Sequence, residues 1–529
     1  MRWPTKREIW IVSTILAAIL VWSGRFVVNP DGISYLDLSD DIRAGRFADA
    51  VNAHWSPGYP YLLALWLSPF SPGSPWESTA VHTLNGVIFL GALTAFEFFL
   101  KELERSQPGT KSLALPLNSA SGRFAAYSVF LWCTLVLVTI RAVTPDMLVT
   151  MLGFLAAGLF VRIRANRAGS GSYVAFGLAL GLAALSKSFM FPVAMLMIAL
   201  SAFRSPSIKR HALSLAVFVI VTAPHVTALS IKSGRLTIGE SARIVYLLKV
   251  NRVAKLREGI VYFPTDKPNR TYPAWDDPTI LYAGMSPSLN AYDQSAALRK
   301  NLVTLGGIGL KVLIPLVLVL AMRDFKTPLR YRALSSVAAL VLVAYLFLNT
   351  EARLAGLWLA LLIVTVLAGI TLDARPIRFK TGRGFVHLIG VVSVISFATY
   401  TLVQATSTQL DRGLRATNIS AVVAKQIHRR GIPPGSRIAL IGDESDIYWA
   451  RLARVQIAAQ IPLRAAESYA ALPANTLDQI YQQFVEVGAR GVVTSWIPTP
   501  LDGRPWLNVA DFAILNLTHS KKNGRIRTQ

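Results

Sequence analysis

The chain has 529 residues, of which 53% are apolar and 16% charged, a balance that argues against a soluble enzyme and for a polytopic membrane protein. Its 54 Lys and Arg against 29 Asp and Glu give a formal net charge of +25. The basic residues fall in clusters between apolar runs rather than on one soluble face, so membrane topology accounts for them and nucleic acid is not an expected partner. The single cysteine, Cys133, lies inside an apolar run, which excludes a disulfide framework and a thiolate metal site.

A basic start, Met1 to Arg7, precedes the apolar stretch Ile9 to Val28; without a small-residue cleavage site and with further spans behind it, this reads as an uncleaved first helix. With about 20 residues needed per crossing, eleven spans are expected near 9–28, 79–100, 122–140, 146–162, 171–186, 188–203, 211–229, 301–321, 331–349, 354–371 and 384–403. The pair 171–186 and 188–203 is short, and Ser186-Lys187-Ser188 with Pro192 also suits a hairpin dipping part way. Lys and Arg cluster in the connections 1–8, 101–123, 162–167, 204–210, 323–332 and 375–383, whereas the opposite short connections carry only Arg141, Lys187 and Arg353. That bias puts the N-terminus in the cytoplasm and gives the outer face three long segments, 29–78, 230–300 and 404–529.

In the first of these, Ile33, Leu36 and Ile42 recur at near-helical spacing among Asp37, Asp40 and Asp41, predicting a helix along the membrane interface. The apolar Tyr61 to Phe70 is too short to span. The second loop is basic and aromatic, then Pro-rich from Pro264 to Pro287. From about 404 the composition changes to strand-like runs (Arg437 to Gly442, Gly491 to Ser495, Phe512 to Leu517) with a helix-like run near Asn475 to Val487, which fits a small α/β domain. The expected architecture is thus an all-α membrane domain over 1–403 with a C-terminal extracytoplasmic α/β domain over 404–529. No P-loop, G-x-G-x-x-G or internal repeat is present.

Carboxylates at the rim of a membrane bundle are functional candidates because their charge is costly beside lipid. Asp31, after Asn29-Pro30, reads either as a helix N-cap or as a general base taking a proton from an acceptor hydroxyl. Asp146, in Thr144-Pro145-Asp146, is part of a standard helix start and, equally, a second acid that could orient the acceptor or share a divalent cation, Mg or Mn, with Asp31. Lys187, Arg353, Arg235 and Arg243 stand against the positive-inside bias, so each is either a snorkelling side chain or a donor to a lipid-linked phosphate. Lys187 and Arg353 rank first because two helices fix each connection. Glu351 pairs naturally with Arg353, and His54 beside Trp55 is either structural or a phosphate contact. No cluster has metal-ligand spacing. The acidic Gly442-Asp443-Glu444-Ser445-Asp446 reads as a strand-to-helix loop.

Taken in order, Asp31-Gly32-Ile33-Ser34-Tyr35, His54-Trp55-Ser56-Pro57-Gly58-Tyr59-Pro60, Thr144-Pro145-Asp146, Ala183-Ala184-Leu185-Ser186-Lys187-Ser188, Pro224-His225 with Ser233-Gly234-Arg235-Leu236-Thr237, and Glu351-Ala352-Arg353-Leu354 resemble the GT-C membrane glycosyltransferases, particularly bacterial members similar to protein O-mannosyltransferases and lipid A aminoarabinose transferases. The resemblance covers about residues 5–405. It implies a polyprenyl-phosphate sugar as donor, inversion at the anomeric carbon, Asp31 as base, Tyr35 and Glu351 as orienting groups, and an acceptor lipid, glycan or protein at the outer face of an inner membrane. The sequence departs from the family's usual Asp-Glu pair at Gly32, from Lys at His54 and from Trp at His225.

Two other classes compete. A transporter or flippase of lipid-linked sugar predicts acids at the bilayer midplane and repeat symmetry. A noncatalytic assembly protein predicts that Asp31→Asn is harmless.

Overall fold

The computed structural model describes residues 4–106, 120–203, 207–253, 259–263, 267, 270–320, 329–369, 399, 402–403, 416–442, 444–470, 472–495 and 504–517. The first ten apolar runs each form a helix, and the expected span 384–403 lies largely outside the described residues. Helix α1 (Lys6–Gly24) starts at a capping box in which the Thr5 side chain accepts from the Glu8 N–H and the Glu8 carboxylate accepts from the Thr5 N–H. Then come α2 (Pro30–Arg43), α3 (Phe47–Ala50) and α4 (Gly58–Trp66), followed by the 29-residue α5 (Glu77–Arg105). Helix α6 (Ala120–Leu131) runs into a π-helical stretch, Trp132–Val138, against which α16 (Ala352–Gly369) packs through Gly356, where a Cβ would lie 3.0 Å from the Cys133 carbonyl.

Helices α7 (Asp146–Arg164), α8 (Ser170–Ser186), α9 (Met190–Ala202) and α10 (Ile208–Ser233) complete the first half of the bundle. Helix α5 packs on α7 through Phe96, Phe99 and Phe154, with Phe130 of α6 stacked on Phe96, and Gly158 lets the backbones close up beside Phe98 and Phe99. Helix α8 meets α10 at Gly177, directly over the Ser214 carbonyl, while the Ser214 hydroxyl donates to the Tyr173 carbonyl at 2.9 Å. Small residues at such crossings allow close packing where no hydrophobic force separates helix from lipid. Short helices α11 (Ser241–Lys249), α12 (Pro273–Asp276) and α13 (Pro278–Leu281) precede the long α14 (Ala291–Leu320), α15 (Leu329–Leu348) and α16.

Four of these, α1, α5, α7 and α10, are long and apolar enough to cross a membrane by length and composition, and five further apolar helices span 10–17 described residues. Helices α8 and α9 are distinct, joined at Lys187–Phe189; at 1.5 Å per residue the 13-residue α9 reaches only about 20 Å, short of a bilayer core of about 30 Å.

Helix α2 forms as its spacing predicts but is not left open at the protein surface. It is inserted in the protein, with Ile33, Leu36 and Leu38 buried, and with Asp37 and Asp41 buried as well. Its acids are tolerated because each meets a guanidinium. Arg451 binds Asp37 at 2.6 Å, Asp40 at 2.9 Å and Glu77 at 2.7 Å, and Arg270 binds Asp41 at 2.5 Å and Asp276 at 2.8 Å.

A mixed six-stranded sheet runs β1-β3-β2-β4-β6-β5. Strands β2 (Arg437–Gly442), β3 (Gln456–Pro462) and β4 (Ala489–Ser495) are parallel, with β2 central; β6 (Phe512–Asn516) and β5 (Leu507–Val509) add antiparallel on one side. Three of these strands match the runs read in the sequence, and helix Ala474–Glu486 covers the sheet through Leu477, Tyr481 and Phe484. Strand β1 (Val261–Tyr262), which pairs with Gln460 and Ala459 on β3, comes from the long connection between α10 and α14. Within the acidic run, Glu444–Asp446 form one 3-10 turn and Asp443 lies outside the described residues.

Candidate active site

Four helix ends converge at one end of the bundle. Pro30 takes the first helical position of α2, so Asn29, and not Asp31, is the N-cap, and it makes no side-chain cap bond. Asn29 Oδ1 instead accepts from the Val143 N–H at 2.8 Å, tying the α1–α2 connection to the one leading into α7. Asp31, one residue inside α2, has its carboxylate free of capping and turned to the site. The same correction applies to α7: Pro145 is the N-cap without a side-chain bond, and Asp146 heads the helix.

The turn after α8 is fixed by the Ser188 N–H donating to the Ser56 hydroxyl at 3.0 Å and by Gly58 lying against Leu185 and Ser186, where a Cβ would come within 2.8 Å of the Ser186 hydroxyl. Tyr59 donates to Asn85 at 2.8 Å, and Asn85 in turn donates to the carbonyls of Ile140 and Ala142 at 3.2 and 3.1 Å, anchoring the floor. Trp275, on α12, closes one wall. Its carbonyl accepts from the Trp55 indole at 2.8 Å and the Ser34 hydroxyl at 3.1 Å, and its own indole N–H faces Asp31 at 3.3 Å.

Between these elements lies a cavity of 580 Å³ whose lining includes Asp31, Tyr35, His54, Asp146, Lys187, Glu351 and Arg353. Arg353 is its hub. One nitrogen lies 3.1 Å from Asp31 and 3.5 Å from Asp146, and Nε donates to Glu351 at 2.9 Å. Lys187 makes an ion pair with the other Asp146 oxygen. Arg353 and Lys187 therefore pair with three carboxylates across a partly open pocket, in which Asp146 is nearly buried while Asp31, Lys187, Arg353 and Glu351 keep between 23% and 33% of their side-chain surface exposed. Burial acts to raise the Glu351 carboxyl, but Arg353 and the Asn349 amide outweigh it and hold the group below its usual range.

Tyr35 packs edge-on against Trp55 and Tyr59, with ring centroids 5.0 and 5.5 Å away. Burial, reinforced by Asp31 and Asp146, pushes its phenol well above the usual range, so it stays a neutral hydroxyl. His54 also stands edge-on to Trp55, at 4.4 Å, and burial pushes its imidazole down to about 4 despite Asp31 nearby. A neutral ring replaces the cation expected of a phosphate contact there. Arg235 and Arg243 do not join the cavity. Both are taken by Glu240, five residues after one and three before the other, and Arg243 also donates to the Met285 carbonyl at 2.7 Å.

Among the lining residues that sequence reasoning missed are Trp275 and Lys249. Lys249, the last residue of α11, is exposed and close enough to Glu351 to favour its ionised form. The heptad-like placement of Ile244 and Leu247 toward the protein marks the opposite face of α11 as the open one. Trp275 sits in the Pro-rich loop, where no periodicity speaks.

The acids fit a divalent cation poorly. Among the described residues no group of three or more His, Cys, Asp or Glu is arranged to hold a metal, and the space between Asp31 and Asp146 is taken by the Arg353 guanidinium. Hard cations need several oxygens at short distance.

No protein-family model matches the sequence, and no curated protein does. Among solved structures, ArnT from Cupriavidus metallidurans bound to undecaprenyl phosphate matches at 14% identity over 96% of this chain and 97% of that one, with a TM-score of 0.51. The chain has the GT-C fold. An Archaeoglobus fulgidus oligosaccharyltransferase tethered to an acceptor peptide is similar at 12% identity over 92% of this chain and 69% of its own, TM-score 0.42. The mycobacterial arabinofuranosyltransferase AftD follows at 15% identity over 94% and 37%, TM-score 0.46. The resemblance carried by the six motifs is thus met at the level of the GT-C fold, which ArnT shares over nearly its whole length.

Proposed function

We propose that the protein is an inverting glycosyltransferase that moves a sugar from a polyprenyl-phosphate carrier to a hydroxyl on a lipid, glycan or protein at the outer face of an inner membrane. The observation that carries this reading is Asp31 and Asp146 bridged by Arg353, with Lys187 beside them, at the wall of one cavity in a GT-C fold. The undecaprenyl phosphate of the ArnT structure supports the donor class. The Lys and Arg distribution supports a cytoplasmic N-terminus, and the composition change near 404 supports a catalytic membrane unit over 1–403 followed by an extracytoplasmic unit over 404–529.

In this reading the incoming phosphate draws the Arg353 guanidinium away from Asp31, because charge-assisted bonds to phosphate replace that ion pair, while the pairs with Asp146 persist. Asp31, released, takes the acceptor hydroxyl proton as the oxygen attacks the anomeric carbon from the side opposite the phosphate. The bond between that carbon and the phosphate oxygen breaks, and the electron pair leaves with the polyprenyl phosphate, whose charge Arg353 and Lys187 neutralise. Asp146 keeps Lys187 and Arg353 placed throughout, and the neutral Tyr35 hydroxyl offers a hydrogen bond to sugar or acceptor.

The test is transfer from a panel of polyprenyl-phosphate sugars to membrane extract, comparing the wild type with Asp31→Asn in nanodiscs. General-base loss predicts a fall of roughly 10²–10⁴-fold with donor binding retained. Equal transfer by both proteins removes Asp31 as the base. No transfer by the wild type from any donor overturns the enzymatic reading.

A further inference from the structure

At the other end of α2 from Asp31 lies a second, polar cavity of 500 Å³ that shares no lining residue with the first. Asp40 is nine residues along α2 from Asp31, which at 1.5 Å per residue separates the two places by about 14 Å. The cavity is walled by the far half of α2, the Arg270–Thr271 segment, and the turns that lead into β2 and β3.

Its charge is one-sided. Five guanidinium groups and two carboxylates line it. The carboxylates of Asp37 and Asp40 are both held by Arg451, and Arg46 is engaged by Asp41 at 2.7 Å. Arg437 and Arg454 have no acidic or hydrogen-bonding partner for their side chains among the described residues, and both are exposed. Arg454 is moreover held at φ +52°, a backbone region that a long side chain rarely adopts.

The independent observation is Arg270, whose side chain is only 2% exposed. Its Nη2 and Nε form ion pairs with Asp41 and Asp276, and Nη2 also donates to the Asp49 carbonyl at 3.1 Å, while the buried Nη1 has no acceptor among the described residues. A buried charged N–H without an acceptor is costly; an oxyanion supplies that acceptor to Nη1 and can meet the open guanidinium forks of Arg437 and Arg454 with paired oxygens. A concave wall of one sign also concentrates an anion of the other.

We propose that this cavity is a second binding site, for a phosphate-type oxyanion carried by a saccharide or a lipid headgroup, held by Arg270, Arg437 and Arg454. It is separate from the donor phosphate position at Lys187 and Arg353 and does not depend on the reaction assigned there. An acceptor or regulatory lipid anchored in it would lie against the helix that carries Asp31.

The experiment uses the full chain in zwitterionic nanodiscs, in a Lys187→Met background that weakens phosphate binding at the first cavity. Calorimetric titration with inorganic phosphate and with a hexose 1-phosphate should show one saturable event. Arg437→Gln/Arg454→Gln should weaken it at least about tenfold, without shifting the melting temperature, since both side chains are exposed and unpaired; Arg454→Lys alone should retain part of the affinity because it keeps the charge. The same titration in phosphatidylglycerol nanodiscs separates the sources: competition by the lipid assigns the site to a headgroup, and undiminished hexose phosphate binding assigns it to a phosphorylated saccharide. No saturable binding, or an affinity unchanged in the double variant, overturns the proposal.

Discussion

Arg451 reaches Asp37 across 414 positions of chain at 2.6 Å, locking the segment between β2 and β3 onto the helix that presents Asp31. The same guanidinium serves Asp40 and Glu77, so three carboxylates depend on it. Arg451→Met should therefore destabilise the protein by about 3–5 kcal/mol, the cost of leaving buried charges uncompensated. Asp37→Asn should cost less, since Arg451 keeps two partners. Chemical denaturation followed by the Trp449 environment separates the two variants.

One guanidinium shared by three acids cannot offset the burial of them all, and Asp37 is pushed up to about 6 by burial, against the pull of Arg451, Arg270 and the Thr271 N–H. Because the folded value lies above the unfolded one, the folded protein holds more protons between about pH 4 and 6. This contribution to stability is full below the unfolded value and lost as pH rises through 6. The melting temperature in that window should carry a falling component that disappears in Asp37→Asn. A slope identical in wild type and variant would show that other groups govern the window.

Lys187→Met should raise KM for the lipid-linked donor, with the acceptor KM little changed, because the ammonium contacts the phosphate in the proposed reaction. Lys187→Arg should recover part of the loss. Equal rises in both KM values would indicate that the Asp146 pair serves only to shape the cavity.

Gly32→Ala tests how closely α2 is seated. A Cβ at Gly32 would fall 2.7 Å from the Val143 Cβ and 3.1 Å from Val28, so the start of α2 must shift. Overpacking of this kind costs about 1–3 kcal/mol, and Asp31, the preceding residue, should move with it and lower kcat. A lowered melting temperature with kcat intact would argue that Asp31 does not need this seat. A Glu at position 32, as the Asp-Glu pair of the motif this segment resembles would place it, has no room here.

Chelation should leave transfer intact. Arg353 occupies the space between Asp31 and Asp146 that a divalent cation would need, and no third acid completes a ligand set among the described residues. Transfer abolished by EDTA and restored by Mg or Mn would require Arg353 to vacate that position.

The sequence made the helices and most of the convergent lining residues legible because Asp31, Asp146, Lys187, Glu351 and Arg353 sit where an apolar run meets a polar turn, and such junctions are ordered by chain position alone. Asn29-Pro30 also carried the clue that Asp31 is not a cap, since Pro favours the first helical position. Arg235 and Arg243 misled because charge was read without the Glu240 spaced to take both. Trp275 and the Arg451 and Arg270 networks depend on contacts between distant segments, with no local pattern to announce them. The burial of α2 was hidden for the same reason: its acids look solvated until their partners arrive from far along the chain.

Strand β1, supplied by the connection between α10 and α14, fills the edge of β3 with only two residues, Val261 and Tyr262. The tail and that connection are consequently one inheritance. A chimera that exchanges only the segment after 404 would strip β3 of its neighbour and expose a bare strand margin to other chains, so a functional swap must carry both pieces, and natural divergence in one should be answered in the other.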